Sequence, residues 1–543
     1  MDGIWNSRRS PVYAKNGMVA CSQPLAAEAG LGILKRSGNA ADAAIAVAAA
    51  LNVTQPTSTG LGGDAFLLYY DAQTKQVKGL NGSGRCPSGV SISTFEDRGF
   101  SEQNRPPSVN PLFITVPGAA ATWVDTIELF GSGNLTMAQI LEPAIALAED
   151  GYPVGQVTAY YWQRSEQLLR NASPNGGEML LNGIAPKEGE IMRMPYLAET
   201  FRTLAANGKA GYYEGRIAQA IVDVVNELGG VMTLADLSSH FNTQDVPISV
   251  SYRGVDVYEM PPSGQGITAL LALNILEGFF LNGLTHNSAQ HLHLVIESLR
   301  IAFADTRFYV ADPEFVSVPV DGMLSKTYAD QRRGLISPES AAVNIDHGFP
   351  PNVSNTVYFC VVDGQGNAAS FINSNYQGFG TGIVPQGCGF TLHNRGDNFS
   401  LDRTHANSLQ PGKRPYHTII PGMALKDGEL FSPFGVMGGY MQPQGHLQVI
   451  SNMIDFGMNP QQALDAPRVC IDGGTAAGQI LLEDGITEEV RQELERMGHA
   501  SPTIITGWSR SDFGTGQIIK RDPLSGVLVA GSDARNDGHA VGY

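Results

Sequence analysis

Apolar positions recur at helical spacing through most of the stretch from about residue 20 to 340, and at strand spacing from about residue 355 onward. Leu25 to Lys35 reads as a helix that stops at Ser37-Gly38, where Gly38 suits a left-handed C-terminal stop. Ala40 to Leu51 is alanine-rich and strongly helical. In 288–303 the residues Leu292, Val295, Ile296, Leu299, Ala302 and Phe303 fall at i, i+3, i+4, i+7 spacing, with Ser288 placed as the cap. These stripes read as core-facing surfaces, not as a cofactor box.

Strand readings follow later in the chain. Val357 to Val362 and Ala368 to Ile372 are short apolar runs separated by Asp363-Gly364-Gln365-Gly366, a turn between paired strands. Thr418 to Leu425 and Leu430 to Met437 repeat the arrangement around Asp427-Gly428. The segment Asn344 to Asn355 reads as exposed and irregular, so a loop leads into a buried strand that opens at Thr356. Early helices and late strands are compatible with one layered α+β body.

Composition narrows the function classes. Of 543 residues, 43% are hydrophobic and 16% charged, which suits a large buried core and not a disordered chain. The formal charge of −17 argues against nucleic acid as a partner. It does not exclude a local anion site built from one or two arginines. Five cysteines with no CxxC pair fit neither a disulfide framework nor a zinc site. No run reaches the length of a membrane span, since Ala40 to Val53 is short and contains Asp42. No secretory signal is evident, so no membrane partner and a cytoplasmic location are expected.

The familiar catalytic motifs are missing: there is no HExxH, GxxxxGK[ST], GxSxG, or GxGxxG after a strand. His291 and His293 stand two apart on a helix and do not share a face, so no metal site is expected. Thr356 offers a different chemistry. A threonine exposed by cleavage of the bond before it can attack with its hydroxyl while its own α-amine takes the proton. A threonine that opens a strand is also ordinary β-propensity, and the residues alone do not decide between the two.

The segment TVYFCVVDGQGNAASFINSNYQGFGTGIV resembles the opening of the small subunit of γ-glutamyltransferases, with Thr356 seven residues before Asp363. Ordered matches run along nearly the whole chain. They include SGNAADAAIAVAAALNVTQPTSTGLGGDAFLL, FITVPGAAATW, SYRGVDVYEMPPSGQG, PGKRPYHTIIPGM and VMGGYMQPQGHLQVISNMIDFGMNPQQALDAPR. The resemblance implies an N-terminal-nucleophile (Ntn) hydrolase with an αββα sandwich, two stacked antiparallel sheets between helices. It implies a proenzyme cut between Asn355 and Thr356 into a large subunit, 1–355, and a small subunit, 356–543, which stay together. That unit is either a single heterodimer or a dimer of heterodimers. No cofactor is implied, and the substrate is a small-molecule amide or peptide. Thr356 takes the nucleophile's position and Ser374 that of a hydroxyl that orients it. Gly438 and Gly439 take the positions of the pair whose N–H groups hold the oxyanion.

Departures from the family pattern fall on substrate binding. The position of the arginine that grips the substrate α-carboxylate is Ser83, and the nearest arginine is Arg85. The acidic residue for the substrate α-amino group becomes Asn398, beside Asp397. A glutamine becomes Arg395, a serine pair becomes His417-Thr418, and an asparagine becomes Tyr376. A zwitterionic γ-glutamyl group needs an anion site and a cation site, and this set loses the usual clamp while adding a positive charge. The pattern is similar to the cephalosporin-acylase-type and oxamate-amidohydrolase-type branch. Three readings stay open: a γ-glutamyl or related carboxyl-bearing acyl amide as substrate, a non-glutamyl amide of oxamate or glutaryl type, and an unprocessed binding protein. Arg395 and His417 are the candidates for contacting an acyl carboxylate.

Overall fold

The computed structural model describes residues 9–342 and 356–543. The irregular segment expected over 344–355, Asn355 included, lies outside the described residues. In chain order the strands of the two main sheets are β1 (Val12–Ala14), β2 (Met18–Cys21), β3 (Asp64–Asp71), β4 (Gln76–Gly82), β5 (Thr243–Asp245), β6 (Ile248–Tyr252) and β7 (Val255–Glu259). They continue with β8 (Val357–Val362), β9 (Ala368–Ser374), β10 (Gly422–Lys426), β11 (Glu429–Met437), β12 (Thr515–Arg521), β13 (Leu528–Ser532) and β14 (His539–Gly542). One seven-stranded sheet runs β14-β2-β8-β9-β3-β4-β5 and the other β1-β13-β12-β11-β10-β7-β6. Neighbours within both sheets pair antiparallel.

The sheets stack face to face, with β8 over β11 and β12. The contact is close because Gly435 in β11 has no side chain: a Cβ there would lie 2.6 Å from the Tyr358 ring of β8. Helices α1 (Pro24–Lys35) and α2 (Ala40–Thr54) cover the outer face of the first sheet. Helices α3 (Gly266–Glu277) and α5 (Met441–Ile454) cover the second, with α4 (Ala289–Tyr309) packed on α3. The result is an αββα sandwich, the expected fold class.

Local sequence explains how α2 sits so deep. Every residue of it is buried, and alanine combines high helix propensity with a small side chain that allows close approach. Its start is fixed by a reciprocal cap, Asn39 Oδ1 accepting from Asp42 N while Asp42 Oδ2 accepts from Asn39 N. All five cysteines are free and buried. No helix among the described residues is long and apolar enough to cross a membrane.

Three readings need correction. The early half is not purely helical: β3, β4 and β5 join the first sheet, and β6 and β7 the second. In β3 the alternation is hidden because both faces are buried from Asp64 to Tyr70, whereas β6 and β7 do alternate in burial but are only five residues long each. The left-handed residue after α1 is Ser37, at φ 68°. Gly38 is required instead by space, since a Cβ there would lie 2.9 Å from Ile33 O. The strand expected over Thr418 to Leu425 begins only at Gly422. The residues before it are held by side chains: Ile420 N donates to Gln442 Oε1 and Gln265 Nε2 donates to Thr418 O.

Two glycines test this packing in opposite directions. Gly435→Ala is expected to lower stability by about 1–3 kcal/mol through overpacking against Tyr358. Gly32→Ala, in α1 with open space around it, is expected to raise it by about 0.5–1 kcal/mol. Urea unfolding midpoints of the two variants read both effects.

Candidate active site

Strand register brings the reactive groups together. Val357 lies opposite Asn373 in the β8–β9 pair, so one step further Thr356 faces Ser374. Ser374 in turn lies opposite Asp64 in the β9–β3 pair. Residues directly opposite in an antiparallel pair point to the same face, and Thr356 Oγ1 lies 3.0 Å from Ser374 Oγ. Ser374 Oγ also accepts from Tyr376 N at 2.9 Å. Thr356 is 1% exposed. The chain folds tightly around this row because Gly63, just before β3, lets the backbone pass: a Cβ there would lie 2.2 Å from Ser374 O.

From Ser374 the contacts close a ring. Tyr376, at φ 73°, donates its hydroxyl to Asn398 Oδ1 at 2.7 Å. Tyr440 donates to the same oxygen at 3.3 Å. Arg307 fixes the polarity of that bond: its Nη1 donates to Tyr440 Oη at 2.9 Å and its guanidinium lies 4.2 Å above the Tyr440 ring. An arginine only donates, so the phenol must give its proton to Asn398, which leaves Asn398 Nδ2 turned the other way and unpartnered.

Tyr440 follows Gly438 and Gly439, which adopt φ 136° and 58°, values that favour glycine. Their carbonyls are committed. Gly438 O accepts from Met441 N at 2.9 Å, and Gly439 O accepts from Gln442 N at 3.2 Å and Gln265 Nε2 at 2.8 Å. In a trans peptide the N–H points away from the C=O, so the Gly439 amide faces away from α5. Among the described residues neither glycine N–H donates to an acceptor. Gln265 Nε2 also donates to Thr418 O at 2.6 Å. Thr418 Oγ1 accepts from Arg395 Nη1 at 2.6 Å, and the Arg395 guanidinium lies 4.5 Å above the Tyr376 ring.

Asp64 anchors the ring from below. It is fully buried; its Oδ1 accepts from Gly84 N at 3.0 Å and its Oδ2 from His417 Nε2 at 2.9 Å. His393 Nδ1 and Arg395 Nε stand 3.3 and 3.7 Å from the same oxygen. Burial alone would raise the Asp64 carboxyl, but His393 and His417 more than reverse it and hold it well below the usual range. Burial, reinforced by Arg395, pushes His417 down to about 3, so it donates as a neutral imidazole. Burial also lowers Arg395, to about 10, which leaves it charged at neutral pH.

The structure thus gathers Thr356, Ser374, Tyr376, Arg395, Asn398, Thr418 and Gly439 around one centre, with His417 beneath it on Asp64. Arg85 makes its contacts elsewhere: its Nη2 meets Glu314 Oε1 at 3.2 Å and its Nη1 donates to Phe241 O. Asn355 lies outside the described residues. Sequence reasoning missed Asp64, Gln265, Arg307, His393 and Tyr440. Tyr440 was signalled by its place after the glycine pair, and Asp64 by its glycine-rich neighbours in GLGGDAF. Gln265, Arg307 and His393 carry no local signal.

A two-sheet αββα sandwich flanked by helices is the architecture of an Ntn hydrolase, and comparison with known proteins agrees. Residues 26–543 match the family model described as Gamma-glutamyltranspeptidase, and the chain belongs to that family of hydrolases and acyltransferases. It is 37% identical over 534 residues to the glutathione hydrolase-like YwrD proenzyme of Bacillus subtilis, covering 98% of this chain and 99% of that protein. It is 31% identical to the oxamate amidohydrolase proenzyme of Klebsiella pneumoniae, covering 97% and 98%. Among solved structures it is similar to the cephalosporin acylase from Bacillus halodurans, at 43% identity and a TM-score of 0.91, covering 99% and 97%.

The Asp64–His417 pair sets a pH dependence of stability. His417 in the unfolded chain titrates near its ordinary 6.5 but in the fold only near 3. The unfolded state therefore binds the extra proton between those values, and stability falls as pH drops from 6.5 toward 3. His417→Gln is expected to remove up to about 1.4 kcal/mol per pH unit of that slope. Melting temperatures of both proteins between pH 7 and 4 check this.

Proposed function

We propose that the chain is a proenzyme that cleaves its own Asn355–Thr356 bond and then uses Thr356 to hydrolyse a carboxyl-bearing acyl amide. In the first step Thr356 Oγ attacks the Asn355 carbonyl, forming an ester and freeing the Thr356 amine; water then hydrolyses the ester. The products are 1–355 and 356–543, which remain one folded unit. In turnover the freed α-amine takes the proton from Thr356 Oγ as that oxygen attacks the substrate carbonyl. The Gly438 and Gly439 amides receive the oxyanion. The leaving amine departs with the proton, and water, or an amine acceptor, releases the acyl group from Thr356.

The observation that carries this reading is the 3.0 Å contact of Thr356 Oγ1 with Ser374 Oγ at the buried start of β8. A hydroxyl so held is oriented before reaction, and Ser374, fixed by Tyr376 N, has little freedom to let it turn away.

The hydrogen-bonding inventory supports an acyl group that carries a carboxylate and no ammonium. Arg395 Nη2 and Asn398 Nδ2 are buried donors without partners, and Arg395 Nε has only the 3.7 Å approach to Asp64. The acceptor that an α-ammonium would need is taken, since Asn398 Oδ1 already receives Tyr376 and Tyr440. Buried donors call for acceptors, and a carboxylate supplies them to a guanidinium in pairs. An oxamate-like or glutaryl-like acyl group fits this inventory better than a zwitterionic γ-glutamyl group. The names of its relatives cover all three chemistries, glutathione hydrolase, acylase and oxamate amidohydrolase.

Two measurements test the proposal. On a denaturing gel the wild type should give fragments of roughly 38 and 20 kDa, by share of length, and Thr356→Ala a single full-length band. A wild type that stays whole on long incubation would return the chain to an unprocessed binding protein. With a common p-nitroanilide leaving group, the glutaryl amide should exceed the γ-glutamyl amide in kcat/KM by about tenfold or more, the cost of an unpaired ammonium. Arg395→Met should raise KM for the glutaryl amide by roughly tenfold to a hundredfold. A preference for the γ-glutamyl amide would overturn the substrate assignment and leave the nucleophile assignment standing.

A further inference from the structure

We propose that His293, Glu297 and His499 form a binding site for a divalent transition-metal ion of the zinc class, which fastens the segment 337–342, upstream of Thr356, to the helical layer. The three side chains are buried, and one ligand-type atom from each lies within 4.8 Å of the others. His293 and Glu297 are one turn apart on α4, so they present an imidazole and a carboxylate on the same face. His499 arrives from the chain just after the short helix Glu488–Arg496. The sequence reading paired His293 with His291, two residues away, and expected no metal. The partners that matter are four residues on and far along the chain.

The hydrogen bonds around the cluster set its chemistry. His293 Nε2 lies 2.7 Å from Ser337 O. A carbonyl only accepts, so the His293 proton is on Nε2 and Nδ1 presents a lone pair. This is the arrangement in which a metal-binding histidine is usually held, with its second nitrogen donating to a backbone carbonyl. His499 Nε2 stands 2.8 Å from that lone pair and, without a metal, must donate to it. The cost falls on the other side of the ring, where the unpartnered lone pair of His499 Nδ1 faces Glu297 Oε1 at 3.9 Å.

An ion bound to His293 Nδ1, His499 Nε2 and Glu297 Oε1 removes this conflict. The His499 proton moves to Nδ1, so His293 Nδ1 and His499 Nε2 both present lone pairs to the ion and the unpartnered lone pair on His499 Nδ1 is gone. The shift needed is small, since two nitrogens on one zinc ion stand roughly 3.3 Å apart. The competing cation is Arg300, whose Nη1 is 3.2 Å from Glu297 Oε1; its Nε is anchored on Ala476 O at 2.6 Å. The guanidinium therefore keeps its place while sharing the carboxylate.

The same segment touches every ligand-bearing element. Ser337 O accepts from His293, Ala342 N donates to Glu297 Oε2 at 2.9 Å, and Ala341 N donates to Met497 O at 2.7 Å, two residues before His499. An ion in the cluster would stiffen all three attachments at once and so fix where the chain leaves the body of the protein ahead of Thr356.

Zinc content decides the matter. Untagged full-length protein is incubated with zinc, desalted, and analysed by elemental mass spectrometry. Wild type and His291→Ala, which keeps the cluster intact, should retain about one zinc per chain, and His293→Ala and His499→Ala less than about a tenth. A chelator should lower the melting temperature of wild type and leave that of His499→Ala unchanged. Wild type that retains no zinc overturns the proposal, as does equal retention by His293→Ala and His499→Ala. Because wild type alone can give the first of these results, a variant that fails to fold does not protect the idea.

Discussion

Asp64 carries a negative charge where water cannot reach it, and the ring of side chains beside Thr356 is arranged around that fact. An uncompensated buried carboxylate would cost several kcal/mol. Compensation comes from Gly84 N, His417, His393 and Arg395 together. Each partner is thereby fixed, and two of them hold the ring above: Arg395 reaches Thr418 and lies over Tyr376, while the backbone of His417 pairs with Ser263 and Gln265. The charge also explains a tolerance. Arg395 can remain a cation at full burial because Asp64 is 3.7 Å away, and it can still face a second anion because that approach is too long to be a hydrogen bond.

The two halves of the site answer to different constraints. Thr356 and Ser374 are set by strand register, which a single-residue slip would ruin by turning both side chains to the other face. The glycine pair is set by carbonyls committed to α5 and Gln265. Neither depends on which acyl group is bound. The substitutions that alter polarity, Tyr376, Arg395, Asn398 and His417, lie on the ring between them. Polarity can change on such a ring while Thr356, Ser374 and the glycine pair stay in place.

What the chain revealed before folding divides along the same line. Helices α2 and α4 and strands β8 and β11 were legible because each carries its own periodicity and turn chemistry. Thr356 and the glycine pair were legible through a long ordered resemblance, not through local physics, since a threonine at a strand start is commonplace. β3 was missed because a strand buried on both faces loses the alternation that marks it, and β5 to β7 because each is only three to five residues long. Gln265, Arg307 and His393 were missed because each acts through contacts with residues far along the chain, and spacing along a sequence holds no trace of such partners. His499, which meets His293 across 206 positions, is a further case.

Both sheets interleave early and late strands, β8 and β9 lying between β2 and β3, and β10 to β13 between β1 and β7. At the edge of this weave Tyr543 O accepts from Lys15 N and Asn16 N, so the end of the chain rests beside its beginning. The continuity of the fold is therefore not tied to the stretch between residues 342 and 356. A circularly permuted gene that opened at Thr356 and crossed from Tyr543 to residue 9 through a short linker would trace the same two sheets. Once an aminopeptidase had removed its initiator methionine, such a protein would carry a free Thr356 amine from birth, supplied by gene order in place of the proposed self-cleavage.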